Sequence, residues 1–120
     1  MNVQHWGIAW GLAAALSSFA AFAQASVLDR INAGGKLVIA HRESSVPFSY
    51  IDPKSGKRMG YALDLCLQLA EVMRRKTGRK DMAVEFMTVT SANRITMIEQ
   101  GKADLECGST TNNAERRQKV

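Results

Sequence analysis

The feature that most constrains this chain is the regular alternation of short apolar runs with longer amphipathic ones. Residues 36–41 and 83–89 are brief and rich in Val, Ile, Leu, Phe and Met, as strands are, and Ala103-Asp104-Leu105-Glu106-Cys107 reads as a third strand. Residues 63–77 and 94–100 carry the spacing and stop signals of helices, each followed by a glycine, Gly78 or Gly101. A short amphipathic helix over 27–33, ended by Gly34-Gly35, precedes the first strand. A small hairpin, Phe48-Ser49-Tyr50-Ile51 returning through Met59-Gly60-Tyr61, fills the space before the long helix, after a turn over 42–47. Residues 115–119 begin another helix. Strands separated by helices of this length form a parallel sheet through crossover connections. The fold class is therefore α/β, a parallel sheet flanked by helices. Ligands of such sheets bind beyond the carboxyl ends of the strands.

The first 25 residues contain no Lys, Arg, Asp or Glu and hold an apolar run from Ile8 to Phe22. That run is shorter than the roughly 20 residues a membrane span needs. It closes on Ala21-Phe22-Ala23 and Ala23-Gln24-Ala25, the small-residue pattern of a signal peptidase site. Residues 1–25 are read as a signal peptide cleaved after Ala25, which places residues 26–120 in the periplasm. All 16 basic and 11 acidic residues then belong to the mature part, but the bases lie in scattered short runs such as Arg74-Arg75-Lys76 and Arg79-Lys80. No continuous phosphate-tracking stripe results, and nucleic acid is excluded as a partner. His and Cys are too sparse for a metal site, and no cofactor motif is present.

Cys66 and Cys107 both fall in the exported part, where a disulfide forms and persists. A bridge between them is expected. The competing reading packs each as a small apolar side chain, one in a helix and one at a strand end.

The loops leaving the three strand ends are Arg42-Glu43-Ser44-Ser45, Thr90-Ser91-Ala92-Asn93-Arg94 and Gly108-Ser109-Thr110-Thr111. They would bring hydroxyls and two arginines together. A guanidinium offers a planar fork of donors that matches a carboxylate, and a helix opening near Arg94 would add free N–H groups. Two guanidiniums suit a dicarboxylate better than a monocarboxylate. Ser91 has a second reading as an N-cap, and 109–111 as an ordinary strand-to-helix loop. Asp64, Glu43 and Glu106 form no acid/base pair of defined spacing.

The segments His41-Arg42-Glu43-Ser44-Ser45-Val46-Pro47-Phe48-Ser49-Tyr50, Thr90-Ser91-Ala92-Asn93-Arg94-Ile95 and Glu106-Cys107-Gly108-Ser109-Thr110-Thr111-Asn112-Asn113 resemble, in order and at matching distances, the glutamate/aspartate-binding proteins of ABC transporters. The resemblance covers essentially the whole mature chain. It implies the first lobe of a type II periplasmic-binding-protein fold, incomplete and ending before the crossover to a second lobe, in a protein that is a monomer at full length. It implies that Arg94 grips the ligand's α-carboxylate beside Ser91, that Arg42 reaches the side-chain carboxylate, and that Ser109, Thr110 and Thr111 line the floor. Ser45 stands where the wider family of polar amino-acid binders often has an aromatic. The implied function is capture of an acidic amino acid and delivery to a membrane permease. The rivals are a dehydratase-like periplasmic enzyme on the same fold and the sensor domain of a receptor.

Overall fold

The computed structural model describes residues 25–120, so the signal peptide read over 1–25 lies outside the described residues except for Ala25. Ser26 opens helix α1 (Val27–Asn32) with a capping box. Its hydroxyl accepts from the Asp29 N–H at 3.1 Å, and its own N–H donates to the Asp29 carboxylate. Gly34, at φ 102°, then turns the chain out of the helix into strand β1 (Leu37–His41).

β1 is the centre of a three-stranded parallel sheet, ordered β5-β1-β6, with β5 at Val84–Thr88 and β6 at Leu105–Cys107. A central strand is covered on both faces, which is why its sequence is almost wholly apolar. Leu37 and Ile39 point into one cluster, with Ile31, Leu63, Ala70, Met73, Met82 and Cys107. Val38 and Ala40 face the other way, toward Val89, Ala103, Met97 and Ile98. Helices therefore flank the sheet on both sides: α1 and α2 (Tyr61–Thr77) on one, α3 (Arg94–Glu99) on the other. Asp104 locks the start of β6 by accepting from the Val38 N–H at 2.8 Å while its other oxygen pairs with Arg30.

Three expectations need correcting. The turn over 42–47 contains a short strand, β2 (Ser44–Ser45), which pairs with β3 (Ser49–Ile51); β3 in turn pairs with β4 (Arg58–Met59). The chain reverses at Val46-Pro47 and is closed by the Phe48 N–H donating to the Ser45 carbonyl at 2.7 Å. Two serines carry no hydrophobic alternation, so nothing in the pattern marks them as a strand. The long helix begins at Tyr61, two residues earlier than its periodicity suggests. Its first N–H groups are satisfied by the Pro47 and Phe48 carbonyls rather than by a cap side chain. That contact needs Gly60, since a Cβ there would meet the Phe48 carbonyl oxygen at 2.3 Å and φ is 135°. Finally, residues 115–119 form only a 3-10 turn, Arg116–Gln118.

The buried stripe of α2 also differs from the one its leucines suggest. Leu63, Cys66, Ala70 and Met73 face the sheet, while Leu65 and Leu69 are exposed. Too many leucines crowd this helix for spacing alone to choose a face, and the choice falls to the sheet it packs on. Cys66, on the inner face, is bonded to Cys107 at the end of β6, with Cα atoms 6.3 Å apart. The expected disulfide is therefore present.

Candidate functional site

Sheet register sets the site. His41, the last residue of β1, pairs with Thr88, the last of β5, and with Cys107, the last of β6. The three loops singled out from sequence thus leave one edge of the sheet side by side.

Arg42 is fixed through its backbone. Its N–H donates to the hydroxyl of fully buried Ser49, and that hydroxyl donates back to the Arg42 carbonyl, both at 2.9 Å. The guanidinium is thereby directed across to the second loop, where Nη1 donates to the Ser91 hydroxyl at 2.8 Å. Ser91 does not cap α3. The turn before the helix is closed instead by Thr90 and Asn93, each side chain accepting from the other's N–H, at 2.8 and 3.3 Å. Since α3 opens with no side-chain cap, the Ser91 hydroxyl is left to accept from Arg42. A parallel link joins the first and third loops, as the Ser45 hydroxyl donates to that of Ser109 at 2.8 Å.

Arg94 is 8% exposed, unusual for an arginine. Its Nη1 lies 3.9 Å from Glu106 Oε1, beyond hydrogen-bonding distance. Arg94 Nε and Nη1, Glu106 Oε1 and the Thr110 hydroxyl are buried with no hydrogen-bond partner among the described residues. Buried polar groups are nearly always paired in native proteins, and four unpaired ones on two adjoining segments set this place apart. The helix opening at Arg94 is only six residues long, so it is the guanidinium and not the helix end that gives this place its charge.

Thr110 and Thr111 sit differently from the other four expected residues. They border a groove of about 400 Å³ between α3 and the last turn, shared with Ile95, Glu106 and Arg116. Arg42, Ser91, Arg94 and Ser109 do not line that groove. The carboxyl end of the sheet thus holds the Arg42–Ser91 and Ser45–Ser109 links and the Arg94–Glu106 pair, with the threonines bordering a groove that Glu106 shares.

Behind the loops lies His41, 1% exposed. The Arg58 Nε–H donates to its Nε2 at 3.2 Å, which leaves the ring proton on Nδ1, facing the Arg42 carbonyl at 3.3 Å. Arg58 itself stacks over Phe86, 4.9 Å from the ring centre. Burial holds the His41 pKa below its ordinary value of about 6.5, and the positive charge of Arg58 pushes it the same way, against the Arg42 carbonyl and Glu43. An unfolded chain binds a proton at His41 more readily than the folded one. This contribution to stability is full above about pH 6.5 and falls away as pH drops toward the folded value. Unfolding midpoints measured between about pH 5.5 and 7.5 should therefore decline toward acid, and less steeply in His41→Gln. Equal slopes in the two proteins would show that other groups carry the effect.

Residues 37–120 match the model of the bacterial extracellular solute-binding proteins, family 3. The chain belongs to this family. The glutamate/aspartate import solute-binding protein of Escherichia coli K12 is 45% identical over 101 residues, which cover 84% of this chain and 33% of that protein. The chain thus spans about a third of the length of this relative. Among solved structures, the cysteine-binding protein of Campylobacter jejuni superposes with a TM-score of 0.66 at 27% identity, over 80% of this chain and 37% of that one. An ancestral cyclohexadienyl dehydratase gives 0.64 at 29% identity, over 79% and 36%. The parallel sheet and its helices are part of a type II periplasmic-binding-protein lobe, as the α/β alternation and the three motifs imply.

Two charged residues of this family 3 chain had no place among the expected site residues. Arg116, read only as the start of a helix, donates from Nη1 to the Thr111 carbonyl at 3.0 Å and lines the threonine groove. Glu106, set aside because it has no acid/base partner at a defined spacing, is the buried neighbour of Arg94. Strand alternation places Glu106 on one face of β6, but an acid at a strand end is more commonly solvated, and only its burial reveals it.

Proposed function

We propose that this chain is part of an extracytoplasmic binding protein that captures glutamate or aspartate and presents it to the permease of an ABC transporter. The observation that carries the reading is the buried guanidinium of Arg94, with two nitrogens lacking a partner among the described residues, at the sheet edge that also presents Arg42. Arg94 would take one carboxylate and Arg42 the other, with the Ser91 and Ser109 hydroxyls between them. A second lobe would close over the ligand by hinge motion. The relative from Escherichia coli, named for glutamate/aspartate import, supports the ligand class. Residues 1–25 would serve as the export signal, and the full-length protein would act as a monomer, without cofactor. Calorimetric titration of the full-length protein with a panel of amino acids tests the whole reading: saturable binding is expected for glutamate or aspartate, and its absence would end it.

A dehydratase-like reading has the likeness to an ancestral cyclohexadienyl dehydratase behind it. It requires a proton-transfer group in the cleft. Glu43 is exposed there and accepts from the Thr88 hydroxyl at 3.0 Å, an arrangement equally suited to holding a loop. Binding without turnover is therefore the preferred function.

The two arginines should be separable by ligand. Arg42→Met keeps the length of the side chain and removes its charge, so glutamate and aspartate should lose at least about tenfold in affinity, while glutamine and asparagine, which lack the second carboxylate, change much less. Equal losses across all four would assign Arg42 to holding Ser91 in place.

A further inference from the structure

Glu106 stands on β6 opposite Ala40, one residue before the disulfide-bonded Cys107, so the sheet ladder and the bridge both hold its backbone in place. Its side chain is 10% exposed and that of Arg94 9%. An ion pair kept for stability alone gains most by closing to direct, fully hydrogen-bonded contact. This one stays open at 3.9 Å, and Arg94 Nε, Arg94 Nη1 and Glu106 Oε1 remain without hydrogen-bond partners among the described residues. The third loop is shaped around the same carboxylate. A Cβ on Gly108 would lie 2.5 Å from Glu106 Oε1 and 3.2 Å from Arg42 Cγ. With no Cβ at Gly108, the carboxylate lies against the loop backbone, close to the stem of the other arginine. One negative charge is thus placed beside the Arg94 guanidinium and near the aliphatic stem of Arg42.

We propose that Glu106 sets the ligand selectivity of the site, its carboxylate offsetting part of the two-arginine charge so that an acidic zwitterion is preferred to a dicarboxylate of the same length without an amino group. This rests on the acidic-amino-acid reading above. A dicarboxylate feels the full repulsion of Glu106, whereas the ammonium of an amino acid cancels part of it, and buried charges act on one another far more strongly than in water. Discrimination of this kind works by penalising the wrong ligand rather than by improving the right one.

The test compares glutamate with glutarate, in which the amino group is replaced by hydrogen, by calorimetry on the full-length protein. Glu106→Gln keeps the shape and removes the charge. The glutamate-to-glutarate affinity ratio should fall by roughly tenfold or more, mainly through tighter glutarate binding. Glu106→Asp, which keeps the charge, should hold the ratio within about threefold of the wild type. Weakening of both ligands by one common factor in Glu106→Gln would overturn the proposal, because a structural support affects both alike. Loss of folding in the Gln variant with recovery in the Asp variant would also overturn it, identifying Glu106 as a counter-ion for stability only. Failure of the wild type to bind glutamate or aspartate would appear before any variant is made, and would remove the functional reading and this proposal together.

Discussion

Arg94→Ala in the full-length protein should weaken glutamate or aspartate binding by about 2 to 5 kcal/mol, a loss of roughly thirtyfold to several thousandfold. The size follows from burial. A surface arginine meeting a carboxylate in water gains on the order of 1 kcal/mol from the charge pair, but Arg94 is 8% exposed and would hold its partner away from solvent. Its removal leaves a ligand carboxylate desolvated with no donor, and Glu106 with no opposing charge. Arg94→Lys should recover only part of the loss, since an ammonium restores the charge without the planar fork. Titration calorimetry reads both variants, with thermal unfolding to confirm that each is folded. Wild-type affinity in a folded Arg94→Ala would remove Arg94 from the site.

What the sequence revealed and what it hid follow one physical line. The three parallel strands and the long helix were legible because each buries a face, and burial writes itself into the spacing of apolar residues. The strand-end loops were legible because a parallel sheet puts its strand termini together whatever the loops contain. The hidden parts are those held by particular polar contacts. Ser44–Ser45 becomes a strand because a tight reversal aligns it with Tyr50 and Ser49, not because of any alternation. Ser91 turns to Arg42 because Thr90 and Asn93 close the turn between themselves, one of several arrangements the same residues permit. Thr110 and Thr111 were grouped with Ser109 through the resemblance to acidic amino-acid binders, and they line a groove that Ser109 does not border. Arg116 and Glu106 acquire their places only once β6 and the final turn are folded against α3.

The second large effect belongs to the Cys66–Cys107 disulfide, whose loss should destabilise the lobe by about 4 kcal/mol on the chain-entropy model. The bridge spans a sequence separation of 41 residues and joins α2 to the end of β6. Breaking it frees the unfolded chain to explore far more conformations, and in the folded state it uncouples the third loop from the helix behind it. Both consequences are measurable. The double variant Cys66→Ala, Cys107→Ala should unfold at markedly lower denaturant than the oxidised wild type. Since Cys107 immediately precedes Gly108 and Ser109, the double variant should also bind its amino acid more weakly even where it remains folded. Reducing agent should shift the wild type in the same direction. A double variant as stable as the oxidised protein would show that α2 is held to the sheet by packing of Leu63, Ala70 and Met73 alone. Two titratable thiols in denatured, unreduced protein taken from the periplasm would show that the bridge does not form in the cell.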